Sequence, residues 1–329
     1  MKNEAVLASA ETKKQNGVMR FLSKNMILIA LLVMCAILSI LTERFLTPSN
    51  LWNILIQNTT VGIVAVGMTF VIITAGIDLS VGSVVALCSA LGAGMMKAGV
   101  PWGLAIIGMV AIGTGIGCGQ GMLISRVKMP SFIVTLGVMG IGRGMTMVYM
   151  QGMTISGLPQ NMQFIGNGYI GGVIPCAAVI LIAFFLIGFY MLKYTSFGRA
   201  LYSLGGNREA TELSGINVKR TETMAYTFNG MACGVGAIIL TARLGSALTT
   251  GGEGLEMDVI GATVIGGASL AGGRGTMFGT FIGVLILGVL NNGMNMLNID
   301  PFFSEALRGI VIIIAVLIDT LRKRGEVGV

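Results

Sequence analysis

The chain has 329 residues, 54% of them hydrophobic and only 11% charged, with a mean hydropathy of +0.86. That balance excludes a soluble globular domain of ordinary size and points to a membrane protein. The net charge of +7 is spread along the chain instead of gathered on one polar face, which argues against nucleic-acid binding, and the lack of any histidine removes the commonest general base and transition-metal ligand.

The first 25 residues are polar and carry Lys2, Lys13, Lys14, Arg20 and Lys24 without a small-residue cleavage site, so they are expected to remain as a cytoplasmic tail. Apolar stretches suited to crossing about 30 Å of hydrocarbon follow at 26–41, 51–74, 82–98, 102–125, 130–150, 174–192, 222–243, 258–272, 276–297 and 305–321. With ten spans, Arg126 and Lys128, the segment Lys193 to Arg220, Arg274, and Arg322 to Arg324 all share the side of the N-terminus. Only Arg44, Lys97, Arg143, Arg243 and Arg308 fall elsewhere, and moving one span breaks the agreement. The expectation is an all-α, polytopic membrane protein of about ten transmembrane helices, some broken or re-entrant. Its membrane domain would cover 26–321, with cytoplasmic tails at 1–25 and 322–329.

Two clusters break the apolar pattern with glycines and polar residues: Gly76 to Ser83 (GIDLSVGS) and Gly266 to Gly279 (GGASLAGGRGTMFG). Non-helical backbone at membrane depth is tolerated only where it is buried in protein or lines water, so both clusters are candidates for a gate, with Asp78, Ser80, Ser83 and Ser269 as their polar residues. Asp78 has two readings: a contact for substrate or coupling ion, or a cap for the helix that starts after Leu79 and Ser80. The run Gly108, Gly113, Gly115, Gly117, Gly119 and Gly121 reads as close helix packing. Arg143, inside an apolar stretch, is expected to pair with a carbonyl or an acid. Asn291, Asn292 and Asn295 cannot all avoid lipid unless their helix faces protein or water, which makes them candidates for the translocation path.

The longest polar segment between spans in the middle of the chain is Leu204 to Arg220 (LGGNREATELSGINVKR). Gly205 and Gly206 are expected to turn the chain, Asn207 to cap a short helix with Glu209 in its first turn, and Leu213 and Ile216 to share one face. By itself this describes either a solvated connection or a docking element. The five cysteines, 35, 88, 118, 176 and 233, lack ligand spacing, and the nearest approach to a phosphate-binding loop, Gly266 to Thr276, has no lysine. No cofactor is expected, and any ATP consumed must be hydrolysed by another chain.

Four stretches together are similar to the permease subunits of ribose-type ABC importers, the binding-protein-dependent inner-membrane components: FLTPSNLWNIL (Phe45 to Leu55), VGMTFVIITAGIDLSVGS (Val66 to Ser83), RALYSLGGNREATELSGINV (Arg199 to Val218) and VIGGASLAGGRGTMFGTFIGVLILGVLNNGMNML (Val264 to Leu297). The resemblance runs from about Asn25 to Lys323. It implies uptake of a monosaccharide or a related small polyol or furanosyl compound across a bacterial inner membrane. It also implies a second permease copy or close relative, a cytoplasmic ATPase, and a periplasmic or lipid-anchored sugar-binding protein. In such families a cytoplasmic loop with the pattern E-A-A-x-x-x-G docks on the ATPase. Here Glu209, Ala210 and Gly215 match and Thr211 replaces the second alanine, so Asn207, Arg208, Glu209, Ala210, Thr211, Glu212, Leu213, Ser214, Gly215 and Ile216 form the implied coupling loop. An ion-coupled secondary transporter is the alternative, but it would need acidic or broken-helix ion sites at the membrane midplane. A membrane enzyme would need a nucleophile and base that the sequence does not offer.

Overall fold

The computed structural model describes residues 26–327, so the tail at 1–25 and residues 328–329 lie outside it. Thirteen helices are described, taken in chain order: α1 (Met26–Leu41), α2 (Pro48–Ile73), α3 (Val81–Lys97), α4 (Trp102–Ser125), α5 (Ser131–Met150), α6 (Gln160–Asn167), α7 (Cys176–Tyr194), α8 (Ser196–Gly206), α9 (Arg208–Leu213), α10 (Val218–Leu244), α11 (Leu255–Ile265), α12 (Met277–Met296) and α13 (Pro301–Val327). Among the described residues strand is confined to two antiparallel pairs of two-residue segments, Ile155–Ser156 with Ser246–Ala247 and Tyr169–Ile170 with Ile174–Pro175. The expected all-α, polytopic class is what the structure has.

Helix boundaries follow from local chemistry. All six prolines stand at helix starts: Pro48 and Pro301 as first residues, and Pro101, Pro130, Pro159 and Pro175 just before α4, α5, α6 and α7. A proline there loses no hydrogen bond, because the first amides of a helix have no partner within it. Among the described residues six helices, α2, α4, α5, α7, α10 and α12, are long and apolar enough to cross a membrane, and α1 and α3 are shorter apolar helices. The span expected at 258–272 is corrected. Its helix, α11, ends at Ile265, and the chain then passes through Gly267, Gly272, Gly273 and Gly275, all at positive φ, before α12 begins. Backbone in that region is open to glycine and strained for side-chain-bearing residues, so no helix can continue through it.

Helices α2 and α10 form the centre. Phe70 of α2 stands edge-on to Phe228 of α10 at 4.8 Å between ring centroids, Phe228 stacks on Phe184 of α7, and Phe197 of α8 lies 5.8 Å from Phe70. Against α10 lies α4, and here the glycines divide into two faces. A Cβ at Gly113, Gly117 or Gly121 would run into α10 backbone at Gly230, Gly234, Tyr226 or Thr223, whereas one at Gly115 or Gly119 would meet nothing within 4 Å. The seam is therefore backbone on backbone, which only small residues allow. Arg143 donates to the Gly251 carbonyl at 2.8 Å, the kind of partner expected for it.

Candidate functional site: loop end, buried hub and polar cavity

The polar segment folds as two short helices in sequence. Thr195 accepts from the Gly198 amide to start α8, whose Leu201 and Leu204 are buried. Asn207 accepts from the Ala210 amide at 2.9 Å and caps α9, as expected from its type and place. The end of α9 is a Schellman turn: the Gly215 amide reaches the Glu212 carbonyl, the Ile216 amide reaches that of Thr211, and Gly215 has φ +80°. Two expectations are corrected here. Gly205 and Gly206 do not turn the chain but finish α8, where Gly205 is pressed against the Ile73 carbonyl and the Gly273 amide. Ile216 does not continue the face of Leu213, because the helix ends at Leu213 and the turn intervenes.

Leu213 is 89% exposed, an isolated large apolar side chain at the tip of the most polar connection. Thr211, by contrast, is buried and bonds Ser203 at 2.8 Å, so the residue that departs from the family's alanine ties α9 down onto α8. Arg208 makes a two-pronged ion pair with Glu222 of α10, at 3.1 and 2.8 Å, and this bond raises the Arg208 guanidinium further above its ordinary value. Glu209, Glu212 and Ser214 face outward. Behind this unit the Gly273 amide donates to the Ile73 carbonyl at 2.9 Å, and the Tyr202 hydroxyl donates to the Gly275 carbonyl at 2.6 Å. The end of α2, the glycine-rich break after α11, and α8 thus share one junction. A cavity of about 600 Å³ beside it is lined by Thr74, Gly76, Lys128, Gly205, Arg208 and Glu222.

Asp78 sits next to this junction and is buried, 2% exposed. Its Oδ1 accepts from both the amide and the hydroxyl of Ser80, at 2.9 and 2.6 Å, and its Oδ2 accepts from Asn229 of α10 at 2.8 Å. Gln120 of α4 donates to Ser80 Oγ, and Ser83 donates to the Ser80 carbonyl. The cap reading is corrected in detail. The residue at the N-cap of α3 is Ser80, while Asp78, two residues earlier, holds Ser80 and links α3, α4 and α10. Ser80, Ser83 and Ser269 are all buried, and the Ser269 amide donates to the Arg274 carbonyl across the glycine-rich break.

The asparagines of α12 divide. Asn292 exchanges two amide hydrogen bonds with Asn50 of α2, at 3.0 and 2.8 Å, and holds the helices together. Asn291 and Asn295 instead line a cavity of about 760 Å³ among α2, α10, α11, α12 and α13. This cavity reaches Val61 on α2, 13 residues before Thr74 at the loop end, so about 20 Å of helix separates the two regions. Among its other polar residues, Thr60, Arg243, Asp258 and Arg308 come from segments far apart in sequence. Gln120, Asn229 and these four carry much of the polar structure, yet sequence reading did not single them out as site residues. Polar residues recur along these helices, and only its place in the fold distinguishes each of the six.

Among the described residues no group of three or more histidine, cysteine, aspartate or glutamate side chains could hold a metal ion. Residues 50–316 match the family described as "Branched-chain amino acid transport system / permease component". The ribose import permease protein RbsC of Bacillus subtilis (strain 168) is 46% identical over 97% of this chain and 98% of that protein. RbsC of Escherichia coli (strain K12) is 44% identical over 90% and 93%, and the D-allose transport system permease protein AlsC of the same organism 35% identical over 96% and 97%. No solved structure matches the chain. With most of its length inside the family and relatives that align nearly end to end, the chain belongs to this family and is a multi-pass inner-membrane permease subunit of a ribose-type ABC importer, working with a separate ATPase and not itself an enzyme.

Proposed function

We propose that the chain forms the membrane path for a monosaccharide or a related small polyhydroxylated compound. The observation that carries this is the set of relatives aligned over nine-tenths or more of the chain, whose names specify import of ribose or transport of xylose or D-allose. Two copies, or this chain and a close relative, surround the path, and a periplasmic or lipid-anchored sugar-binding protein delivers the solute. Both tails, 1–25 and 322–329, and the segment Lys193 to Arg220 lie in the cytoplasm, supported by the distribution of basic residues with α11 and the glycine-rich break after it counted as one crossing. Asn291 and Asn295 belong to the path. Asp78, Ser80, Ser83 and Ser269 belong to a closed gate, and Asn292 holds the path's wall.

The ATPase docks on Asn207 to Ile216. Supporting this are the exposure of Leu213, which suits burial in a partner's cleft, and the attachment of the preceding helix to the end of α2 and to the glycine-rich break after α11 through Gly205 and Tyr202. ATP-driven closure of the ATPase would shift the loop and so bias the helices between two states. Leu213→Asp tests the assignment, because it places an unpaired charge in that contact at a cost of about 3 kcal/mol or more. The variant is expected to insert and dimerise normally but to lose its ATPase on purification, and sugar uptake with it. Retention of a full complement of ATPase with uptake at the normal rate would remove the loop from the docking role.

A further inference from the structure

We infer that the cavity among α2, α10, α11, α12 and α13 is a low-affinity binding site for a neutral, polyhydroxylated solute, present within each copy of the chain. The inference rests on the sugar-import reading and adds to it a place on each copy where the permease itself holds the solute.

Three observations point there. First, the cavity wall contains polar atoms that the protein leaves unsatisfied. Thr60 is 3% exposed and lines the cavity, yet its hydroxyl has no hydrogen-bond partner, and the Nε of Arg308 on the opposite wall is buried in the same condition. Buried polar groups are nearly always paired, so two orphans on one cavity mark a place where partners come from outside the chain.

Second, both guanidinium groups on the wall are already engaged, while the further carboxylate there, Glu253, is exposed. Arg308 lies 3.3 Å from the Asp258 carboxylate, and Arg243 donates to the carbonyls of Ile56 and Gln57 at 3.4 and 2.8 Å. An anion or a zwitterionic amino acid would have to take one of these guanidinium groups from its partner. A neutral solute need not.

Third, the remaining wall is rich in amides. Asn291 and Asn295 are one helical turn apart on α12, as are Asn53 and Gln57 on α2. Each carboxamide both donates and accepts, as does each sugar hydroxyl, so amide and polyol match group for group. At about 760 Å³ the cavity is within the usual range for small-molecule sites and larger than a pentose, so the solute keeps part of its water and binds weakly.

The test uses the full-length permease in lipid nanodiscs without binding protein, probed by saturation-transfer NMR with D-ribose, D-xylose and D-allose, and with L-leucine as the zwitterionic control. At least one of the three sugars is expected to give a saturable signal at millimolar concentration, and L-leucine none. Thr60→Val keeps the shape and removes the orphan hydroxyl, so folding is not at risk. It and Asn295→Leu should each weaken sugar binding about fivefold or more, the effect of one lost hydrogen bond, at an unchanged melting temperature. No signal from any sugar, a signal from L-leucine in their place, or equal binding by both variants overturns the inference. Uptake by the complete transporter in proteoliposomes separates the two readings. Sugar import at the normal rate by both variants, with unaltered sugar binding, leaves sugar import standing and the cavity site refuted. Sugar binding that the variants weaken, together with a complete transporter that imports no monosaccharide, leaves the cavity site standing and refutes the import reading.

Discussion

The α4–α10 seam and the α2–α12 wall of the cavity are both helix pairs in one bundle, but they are held by opposite means. At the seam, glycines bring backbone against backbone, and no side chain separates Gly117 from Gly230. At the wall, the Asn50–Asn292 amide pair spans the two helices and a polar cavity opens beside it. The difference teaches where the molecule tolerates change. A backbone contact cannot be repacked by rotating a side chain, whereas a side-chain pair next to a cavity can be replaced by water.

Filling the seam is the harshest way to break the comparison. In Gly117→Leu, even the first added carbon would lie 2.9 Å from the Gly230 Cα and closer still to the Tyr226 carbonyl, so α4 and α10 must part. A loss of about 3 kcal/mol or more is expected, read as a failure to recover folded protein from detergent. Gly115→Leu points the same side chain where a Cβ meets nothing within 4 Å and should leave the melting temperature near that of the parent. Equal behaviour of the two variants would mean that the seam is not where the structure puts it.

An intermediate effect is expected at Asp78, beside the seam. Leucine there would strand Ser80, Asn229 and through Ser80 also Gln120, at about 3 kcal/mol. Asp78→Asn should cost about 1 kcal/mol or less. Asn229 Oδ1 has no partner in the present arrangement, so turning the Asn229 amide over lets it accept from the new carboxamide. Thermal unfolding of both variants, with transport measured alongside, checks the ranking. An asparagine variant that is as stable as the parent but inactive in transport would give Asp78 a role beyond architecture.

The smallest change belongs to the cavity wall. Asn292→Ala removes the reciprocal amide pair, but Asn50 is half-buried, so water can reach it. A loss of about 1 kcal/mol is expected in urea or thermal unfolding. A loss as large as that at Gly117 would show that the two pairs are not held differently after all.

How much of this could be read from the chain depended on how local the cause was. Asn207 as a cap, Gly215 as a left-handed turn and the proline-led helix starts are set by a few neighbouring atoms, and the first was legible from residue type alone. The glycine run also announced close packing. Its division into Gly113, Gly117 and Gly121 against Gly115 and Gly119 follows the helical period, but which face meets a partner depends on α10, more than a hundred residues away. Asn291 and Asn292 are adjacent in sequence and about 100° apart around the helix, so one turns to the cavity and the other to Asn50. The end of α11 at Ile265 was hidden for a different reason. Hydropathy averages over a window, and a glycine-rich break with few charges scores much like a continuing span.

Helix α10 carries one more consequence. Along its 27 residues, about 40 Å of rise, it holds the Arg208 partner Glu222 near one end, Asn229 and the glycine seam in the middle, and Arg243 at the cavity. Because the seam leaves no side chain to absorb slippage, α4 and α10 must pivot together as one beam. A tilt of about 5° over that length carries the far tip roughly 3 Å, comparable to a hydrogen bond. A small nudge at the ion pair is thus geometrically sufficient to open or close a contact at the opposite mouth, with no chain of intermediate rearrangements in between.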